Sequence, residues 1–330
     1  MKIGLIDVDG HNYPNLALMK ISRWHKRKGD EVEWCMPLAA YDVIYKAKVF
    51  DETYSKDDDT CLMADQIIKG GTGYVRQKRR PDRSVYNEIF HNGKWEDIGD
   101  QTEVVRDGET YRAVLPDEIE HIYPDYSLYP NLTEQTAFGF LSRGCPRGCE
   151  FCIVGAKEGL CSVKVADLKE FWKGQKNIEL LDPNILACKQ HPELLAQLIK
   201  SKALVNFSQG LDIRMTTPEN IDMLNQIRIK EIHFAWDNPK DKLEKRFAQY
   251  ADLAKHKPHG RYGTVYTLVN FGSTMEENLY RIYTLRDMGY GPYVMIYDKP
   301  NAPKEIRRLQ RWCNNVYIFR SCPKFEDYKA

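Results

Sequence analysis

The chain has 330 residues, long enough to bury a substantial core as two ordinary domains or as one large α/β domain with an extension. Its 48 Lys and Arg balance 47 Asp and Glu, so no overall charge favours a nucleic acid or a membrane as partner. Asp7 and Asp9 interrupt the only apolar run at the N-terminus, and no run approaches membrane-spanning length. We therefore expect a cytoplasmic protein without a membrane partner. In that compartment its nine cysteines would bind metal or do chemistry rather than form disulfides.

Residues 1–75 predict a small Rossmann-like α/β domain. A strand KIGLID precedes a helix over residues 16–28 that Gly29 ends, and the further strands are EVEWCM, YDVIYKAKVF and DQIIKGGTGY. Strands alternating with helix through short connections indicate a mainly parallel sheet, whose ligands bind beyond the carboxyl ends of the strands. The segments DGHNYPN and GGTGY fall at such ends.

Residues 76–136 break this rhythm and are predicted to form a connector rich in charge, Tyr and Pro. Within it, EVVRDGETYRAV suggests a hairpin that turns at Asp107 and Gly108. The basic run RQKRRPDR, from Arg76 to Arg83, is typical of a solvated charged surface. Contact with the phosphates of a nucleic acid is the alternative.

Residues 137–330 contain six strand–helix units, which predict an α/β fold with a partial (β/α)6 TIM-like barrel after the small Rossmann-like domain. A full barrel has about eight such units, so six favour an open-sided one. The active site of such a barrel lies at the carboxyl ends of its strands. The predicted strands are FGFLSR, NIELLD, VNFSQGLDIR, EIHFAWD, YGTVYTLVNF and YVMIYD; VADLKEFWKG is the first helix and VYIFRS a last strand.

The segment GCPRGCEFC directly follows the first barrel strand and contains Cys145, Cys149 and Cys152. Three thiolates leave a metal assembly with one open position, because iron–sulfur cubes and structural zinc sites normally take four ligands. The alternative is that Cys161 completes a four-cysteine zinc or electron-transfer site in a non-enzymatic module.

With a strand before it and six α/β units around it, CPRGCEFC resembles the cluster loop of radical S-adenosylmethionine (SAM) enzymes. The resemblance implies that the three cysteines bind a [4Fe-4S] cluster whose fourth iron is chelated by SAM. Reductive cleavage then yields a 5′-deoxyadenosyl radical that abstracts hydrogen from a substrate. It also implies an electron donor such as flavodoxin or ferredoxin, and it places Phe151 beside the adenine. The substrate is not identified, and a methylase or methylthiolase acting on RNA, protein or a metabolite is the alternative.

The N-terminal α/β unit, with GGTGY and the later YPDYSLYPN, is similar to the branch of that superfamily that carries a cobalamin-binding domain. Its cobalamin-ligating members have an Asp-x-His-x-x-Gly motif. Here Asp9 and His11 occur in the right order, but Asn15 or a neighbour stands where the glycine would be. We therefore expect a degenerate domain that shapes the substrate side and does not bind cobalamin, with His11 as a polar loop residue.

The same resemblance predicts SAM contacts at the ends of other barrel strands. Asp182 and Asn184 stand where the family contacts the amino group, and a simple turn before a helix is the alternative. Asp212 and Arg214 are two residues apart, so both would lie on one face of a strand. There Arg214 would bind the carboxylate and Asp212 the ribose hydroxyls, and a structural ion pair is the alternative. The last two predicted contacts are Trp236, for which core packing is the alternative, and Asn270, in the region that contacts adenine.

Overall fold

The structure is a computed structural model that describes residues 1–57 and 62–329. One of the nine cysteines, Cys61, lies outside the described residues. The chain divides into two compact units. The first comprises Met1–Gly139, Arg147–Leu160 and Lys169–Gln175, and the second comprises Phe140–Pro146, Cys161–Leu168 and Lys176–Ala330. Within the described residues, no helix has both the length and the apolar character needed to cross a membrane.

The first unit is built on a six-stranded sheet and a smaller antiparallel one. The strands of these two sheets are β1 (Lys2–Asp7), β2 (Glu31–Trp34), β3 (Ala40–Ala47), β4 (Met63–Gly70), β5 (Val75–Arg79), β6 (Val85–His91), β7 (Lys94–Gly99), β8 (Glu103–Arg106) and β9 (Glu109–Arg112). A further strand of the unit, β10 (Thr136–Gly139), pairs in neither of them. The helices are α1 (Leu16–Arg27), α2 (Asp117–Glu120), α3 (Pro130–Thr133) and α4 (Val154–Lys157).

The larger sheet has the strand order β2-β1-β3-β4-β9-β8, and its first five strands run parallel. The strand order reverses between β1 and β3, which is the position where ligands of parallel sheets bind. The predicted hairpin is present as β8 and β9, and both turn residues, Asp107 and Gly108, have positive φ. Since β9 pairs with β4, the sheet takes its fifth parallel strand from the segment that we predicted as a connector.

Helix α1 forms where the sequence predicts it. The Asn15 side chain accepts a hydrogen bond from the Leu18 amide and begins the helix, and Gly29, with φ +85°, follows its end. The face that carries Leu18 and Met19 is buried in the same cluster as Ile3 of β1. Burial of this stripe stabilises the helix on the sheet.

The GGTG segment after β4 fits closely against the chain that follows β3. Gly71 has φ +91°, and a Cβ atom there would lie 2.3 Å from the Lys48 carbonyl oxygen. A Cβ atom at Gly73 would lie 2.3 Å from the Phe50 carbonyl oxygen. Lys48 itself is fully buried, and its ammonium group is paired with Glu52. The glycines therefore allow two backbone segments to meet at the carboxyl edge of the sheet.

The second unit contains a parallel sheet with helices between its strands. Its strands are β11 (Ser142–Arg143), β12 (Val163–Lys164), β13 (Asn177–Leu180), β14 (Leu204–Leu211), β15 (Arg228–Ala235), β16 (Thr264–Val269) and β17 (Gly291–Ile296). Strands β13 to β17 pair in chain order, all parallel, and β11 pairs with β12 antiparallel. The helices are α5 (His191–Ser201), α6 (Pro218–Gln226), α7 (Glu244–Leu253), α8 (Met275–Asp287), α9 (Lys304–Asn314) and α10 (Val316–Ser321).

Two predicted elements are wrong. VYIFRS is helix α10 and not a strand, because the Asn315 side chain accepts hydrogen bonds from the Tyr317 and Ile318 amides and begins a helix. The predicted helix VADLKEFWKG has only a 3₁₀ turn at Leu168–Glu170. There the Leu168 amide donates to the Gln197 side chain, so tertiary hydrogen bonds take the place of helical ones. The predicted strand FGFLSR is present as the short strands β10 and β11.

We expect Gly71→Ala to destabilise the protein much more than Gly93→Ala. Both glycines have positive φ, but nothing lies within 4 Å of a Cβ atom at Gly93. The control, Gly93→Ala, should therefore lower the free energy of unfolding only by the strain of a left-handed alanine, about 1–2 kcal/mol. Gly71→Ala adds a clash with backbone and should cost roughly 3 kcal/mol or more. Urea denaturation measures both values, and equal losses would show that the close approach at Gly71 does not matter.

Candidate functional site

The cysteine loop, Gly144 to Cys152, spans the two units: Cys145 belongs to the second, and Cys149 and Cys152 belong to the first. None of the three cysteines is in a disulfide, and all are partly exposed. Three thiols match the donor set of an iron–sulfur cluster. Among the described residues, no set of three or more His, Cys, Asp and Glu side chains is grouped closely enough to hold a metal ion. That these three cysteines are cluster ligands thus remains a prediction, with which the chemistry of their thiols agrees.

The part of the loop in the first unit is a compact turn that leads into α4. The Cys152 amide donates to the Cys149 carbonyl oxygen at 3.0 Å. Leu160 packs over two glycines, since its side chain lies 3.1 Å and 3.2 Å from the positions that Cβ atoms would take at Gly148 and Gly155. Arg79 of β5 donates to the Gly155 carbonyl oxygen. This region is therefore held by a strand of its own unit.

In the second unit, Asn184 lies beside Cys145. Its side-chain amide nitrogen is 3.6 Å from the Cys145 sulfur and 3.5 Å from Asp212 Oδ2. The side chain is 2% exposed, and its carbonyl oxygen Oδ1 has no hydrogen-bond partner among the described residues. An unmatched buried acceptor is costly, so this oxygen has the capacity to accept a further hydrogen bond. Two of the predicted residues, Asn184 and Asp212, are thus brought together with the first cysteine.

Arg214 extends this group through two ion pairs. Its guanidinium donates to Asp212 Oδ1 at 2.9 Å and to Asp241 Oδ2 at 3.0 Å. Strand β14 ends at Leu211, and a 3₁₀ turn that Asp212 begins and that contains Arg214 follows it. Our prediction that both residues lie on one face of a strand is therefore wrong. Asp212 begins that turn by accepting a hydrogen bond from the Arg214 amide. The structural ion pair is therefore present, and the SAM contacts remain predictions.

Asp182 holds the chain that leads to Cys145. Its buried carboxylate accepts hydrogen bonds from the Leu141 amide at 3.0 Å, the Ser142 amide at 2.5 Å and the Ser142 hydroxyl at 2.7 Å. Burial raises the pKa of Asp182 to about 6, against the opposing effect of these hydrogen bonds. The carboxylate thus ties the end of β13 to the start of the cysteine loop, which is a structural role beside the predicted contact with SAM.

The remaining predicted residues lie in different surroundings. Trp236 is 1% exposed, stacks on Phe247 with ring centroids 5.6 Å apart and donates to the Asp241 carbonyl oxygen, as in the core-packing alternative. Asn270 has φ +66° and donates to the Tyr297 carbonyl oxygen at 2.9 Å. Phe151 of the cysteine loop is half-buried.

The structure adds a buried arginine that the sequence analysis missed. Arg281 of α8 is fully buried and donates to the carbonyl oxygens of Trp236, Asp237 and Leu268 and to the Asn278 side chain, at 2.6–2.9 Å. Burial lowers the pKa of Arg281 to about 10. Through these hydrogen bonds, Arg281 holds the carboxyl ends of β15 and β16 together. The signal was present, because Arg281 occupies a position where the period of α8 requires a buried residue.

The basic run of β5 is paired with carboxylates inside the first unit. Arg76 lies 2.7 Å and Lys78 3.4 Å from Glu88 of β6, and Arg80 lies 2.7 Å from Asp97 of β7. These pairs form a charged face of the antiparallel sheet, and the nucleic-acid alternative remains a prediction.

Comparison with solved structures identifies similar folds. The radical SAM methyltransferase TsrM from Kitasatospora setae, with cobalamin and a [4Fe-4S] cluster bound, matches over 89% of this chain and 74% of that chain, with a TM-score of 0.58 and 10% sequence identity. At that identity the match establishes a shared fold and nothing beyond it. The resemblance predicted from the sequence is thereby confirmed at the level of the fold, that of a radical SAM enzyme.

Two further structures align over much of the chain, at TM-scores too low to carry an argument. TsrM with tryptophan and a SAM analogue matches 96% of this chain and 71% of that chain (TM-score 0.40, 13% identity). Apo OxsB, a cobalamin-dependent SAM radical enzyme, matches 89% and 49% (TM-score 0.39, 13% identity). No protein-family model and no curated protein sequence matches the chain. Our expectation that the chain does not bind cobalamin gains no support from TsrM, which holds cobalamin.

We expect Asp182 to make folding stability depend on pH. Its folded-state pKa of about 6 exceeds the ordinary value of 3.8, so the folded state keeps a proton that the unfolded state has lost between these pH values. Its contribution to stability is therefore full below about pH 4 and falls by about 3 kcal/mol as the pH rises to 6. Urea denaturation from pH 4 to 7 should show this decline in the wild type and a smaller one in Asp182→Asn. Asp222→Asn, at an exposed position of α6, is the control, and equal slopes in all three proteins would contradict the prediction.

Proposed function

We propose that this protein is a radical SAM enzyme. The observation that carries the proposal is the C-x3-C-x2-C loop, Cys145, Cys149 and Cys152, in a chain that shares its fold with TsrM. The three thiols would hold a [4Fe-4S] cluster with one iron left for SAM. When bound, cluster and SAM supply one-electron cleavage of the sulfonium and a 5′-deoxyadenosyl radical that takes hydrogen from a substrate.

The residues beside Cys145 are suited to bind the amino-acid part of SAM. The unpartnered Oδ1 of Asn184 can accept a hydrogen bond from the amino group, and Arg214 offers a guanidinium to the carboxylate. Asp212 orients both, because it accepts hydrogen bonds from Asn184 and from Arg214. Phe151 and Asn270 remain the proposed contacts of the nucleoside part, with Asp182 as support for the loop, whereas the buried Trp236 is assigned to the core. An electron donor such as flavodoxin or ferredoxin is part of this proposal.

A second candidate is cobalamin-dependent methyl transfer, the alternative reaction that the first unit favours. Large apolar side chains are exposed after the carboxyl ends of β1, β2 and β3, where a broad apolar ligand such as a corrin would lie: Tyr13, Met36, Leu38, Val49, Phe50 and Tyr54. Against it, the His11 ring lies 4.2 Å from the Trp34 ring, and Asp9 accepts hydrogen bonds from the Val49 and Phe50 amides. The motif residues thus have partners within the unit, and hydrogen abstraction remains the first proposal.

Anaerobic reconstitution of the chain with iron and sulfide, followed by dithionite and SAM, tests the proposal. We expect a brown, oxygen-sensitive cluster and formation of 5′-deoxyadenosine, both lost on changing Cys145, Cys149 or Cys152 to Ala. Cys161→Ala is the matched control, because this exposed cysteine should be dispensable. Loss of metal in Cys161→Ala would favour the four-cysteine zinc or electron-transfer module. A parallel sample with hydroxocobalamin, passed through gel filtration, tests the second candidate by retention of the pigment.

We expect Asn184→Ala to lower the reduction potential of the reconstituted cluster. The amide N–H beside the Cys145 sulfur stabilises the extra negative charge of the reduced state, and its removal withdraws that stabilisation. Such supporting contacts usually change activity by about 10- to 100-fold. Redox titration followed by electron paramagnetic resonance measures the potential at equal iron content. Asn301→Ala, at an exposed turn before α9, is the control, and an unchanged potential in Asn184→Ala would contradict the role.

A further inference from the structure

One face of the parallel sheet in the second unit carries a row of polar side chains. Parallel sheets are usually covered by apolar contacts on both faces. Here the residues that alternate with these polar ones, such as Ile178, Phe207 and Phe234, are buried as expected. The polar residues, which we call the polar row, come from all five strands: Glu179, Asn206, Glu231, His233, Tyr266 and Tyr293.

Contacts join the polar row from one side of the sheet to the other. Asn206 donates from its side-chain amide to Glu179 at 2.7 Å and is the register partner of Glu231. Glu231 lies 3.6 Å from His233, whose ring stacks on Tyr266 with centroids 5.5 Å apart. The Tyr266 ring in turn meets the Tyr293 ring edge-on at 5.9 Å. The row is therefore one continuous surface with carboxylates at one end and aromatic rings at the other.

The polar row has hydrogen-bonding capacity that the described residues do not use. Asn206 is 8% exposed, yet its Oδ1 has no hydrogen-bond partner, and neither has the buried Nδ1 of His233. A buried acceptor without a hydrogen bond is unfavourable, and a ligand that carries a donor would supply the missing bond. The row is also accessible, since the Glu231 side chain is 37% and Tyr293 44% exposed.

The charge of the polar row favours a cation. Glu179 and Glu231 contribute two negative charges, and Lys230, which acts on Glu179, contributes one positive charge, so the balance is negative while His233 is neutral. Burial raises the pKa of Glu179 and lowers that of His233, because both charged forms lose solvation there. A positive group that enters the row would stabilise the Glu179 carboxylate, and a neutral His233 would not repel it. The faces of Tyr266 and Tyr293 attract cations and stack on flat rings.

We propose that the polar row binds the substrate and that this substrate is a small molecule with a cationic amine attached to a flat ring. Glu179 and Glu231 bind the ammonium group, Asn206 Oδ1 accepts one of its hydrogen bonds, and the Tyr266 and Tyr293 rings pack against the ring of the ligand. The inference rests on the proposed function only in taking the ligand for the substrate.

Two probes with the same ring and opposite charge test the proposal: 2-phenylethylamine and 3-phenylpropionate. Each is titrated into the reconstituted protein and followed by ligand-observed nuclear magnetic resonance. We expect the amine to bind at least about tenfold more tightly than the acid, a difference of about 1.4 kcal/mol. Glu179→Gln combined with Glu231→Gln should abolish this preference. Glu276→Gln, which removes an exposed carboxylate from α8, should retain it.

The proposal is overturned if the wild type binds neither probe, binds both equally or prefers the acid, or if the preference survives the double substitution. Glu231→Gln alone, at a partly exposed position, replaces the double variant if the latter does not fold, and it should weaken the preference several-fold. Formation of 5′-deoxyadenosine is measured in the same samples. Amine binding without this product would defeat the proposed function alone, and the product without amine selectivity would defeat this inference alone.

Discussion

The position of the first cysteine depends on one buried carboxylate. Asp182, just after β13, accepts hydrogen bonds from the Leu141 amide and from the amide and hydroxyl of Ser142, three residues before Cys145. A charge in the interior is costly unless hydrogen bonds replace its hydration. These three do so only in part, since burial still raises the pKa of Asp182 to about 6, and they fix the backbone from which the cysteine loop departs. The loop is thus anchored by the sheet before any ligand binds, which reduces the ordering that binding must supply.

The elements that the sequence predicted well are those in which long apolar patterns and end signals agree. Helix α1 has an amide cap at Asn15, an apolar stripe and a glycine after its end, and the strands of the second unit alternate regularly with helices along the chain. The errors fall on short segments. VYIFRS has the composition of a strand, and the hydrogen bonds that the Asn315 side chain accepts begin a helix there. At Leu168, the backbone amide donates a hydrogen bond to the side chain of Gln197, which is distant in sequence. Such a contact cannot be predicted from the local pattern.

The candidate site could be predicted in part because the carboxyl ends of parallel strands meet at one edge of a sheet. That geometry brings Asn184, Asp212 and Arg214 together, and residue types at strand ends were enough to indicate it. The partners of each side chain were not predictable. Asp182 binds the backbone of Ser142, and Trp236 packs in the core. Arg281 holds two strand ends together from a helix whose sequence is typical of a surface helix. Contacts between distant segments decide these roles, and a single sequence does not contain them.

The alternation of the two faces in β13 to β17 has an evolutionary consequence. Side chains of even and odd positions point to opposite sides, so the residues that hold the sheet to its helices and the residues of the polar row are interleaved along the same strands. A substitution at one position of the row leaves its apolar neighbours in place. Ligand preference can therefore diverge among descendants of this chain by single changes, while the burial that keeps the strands folded stays intact.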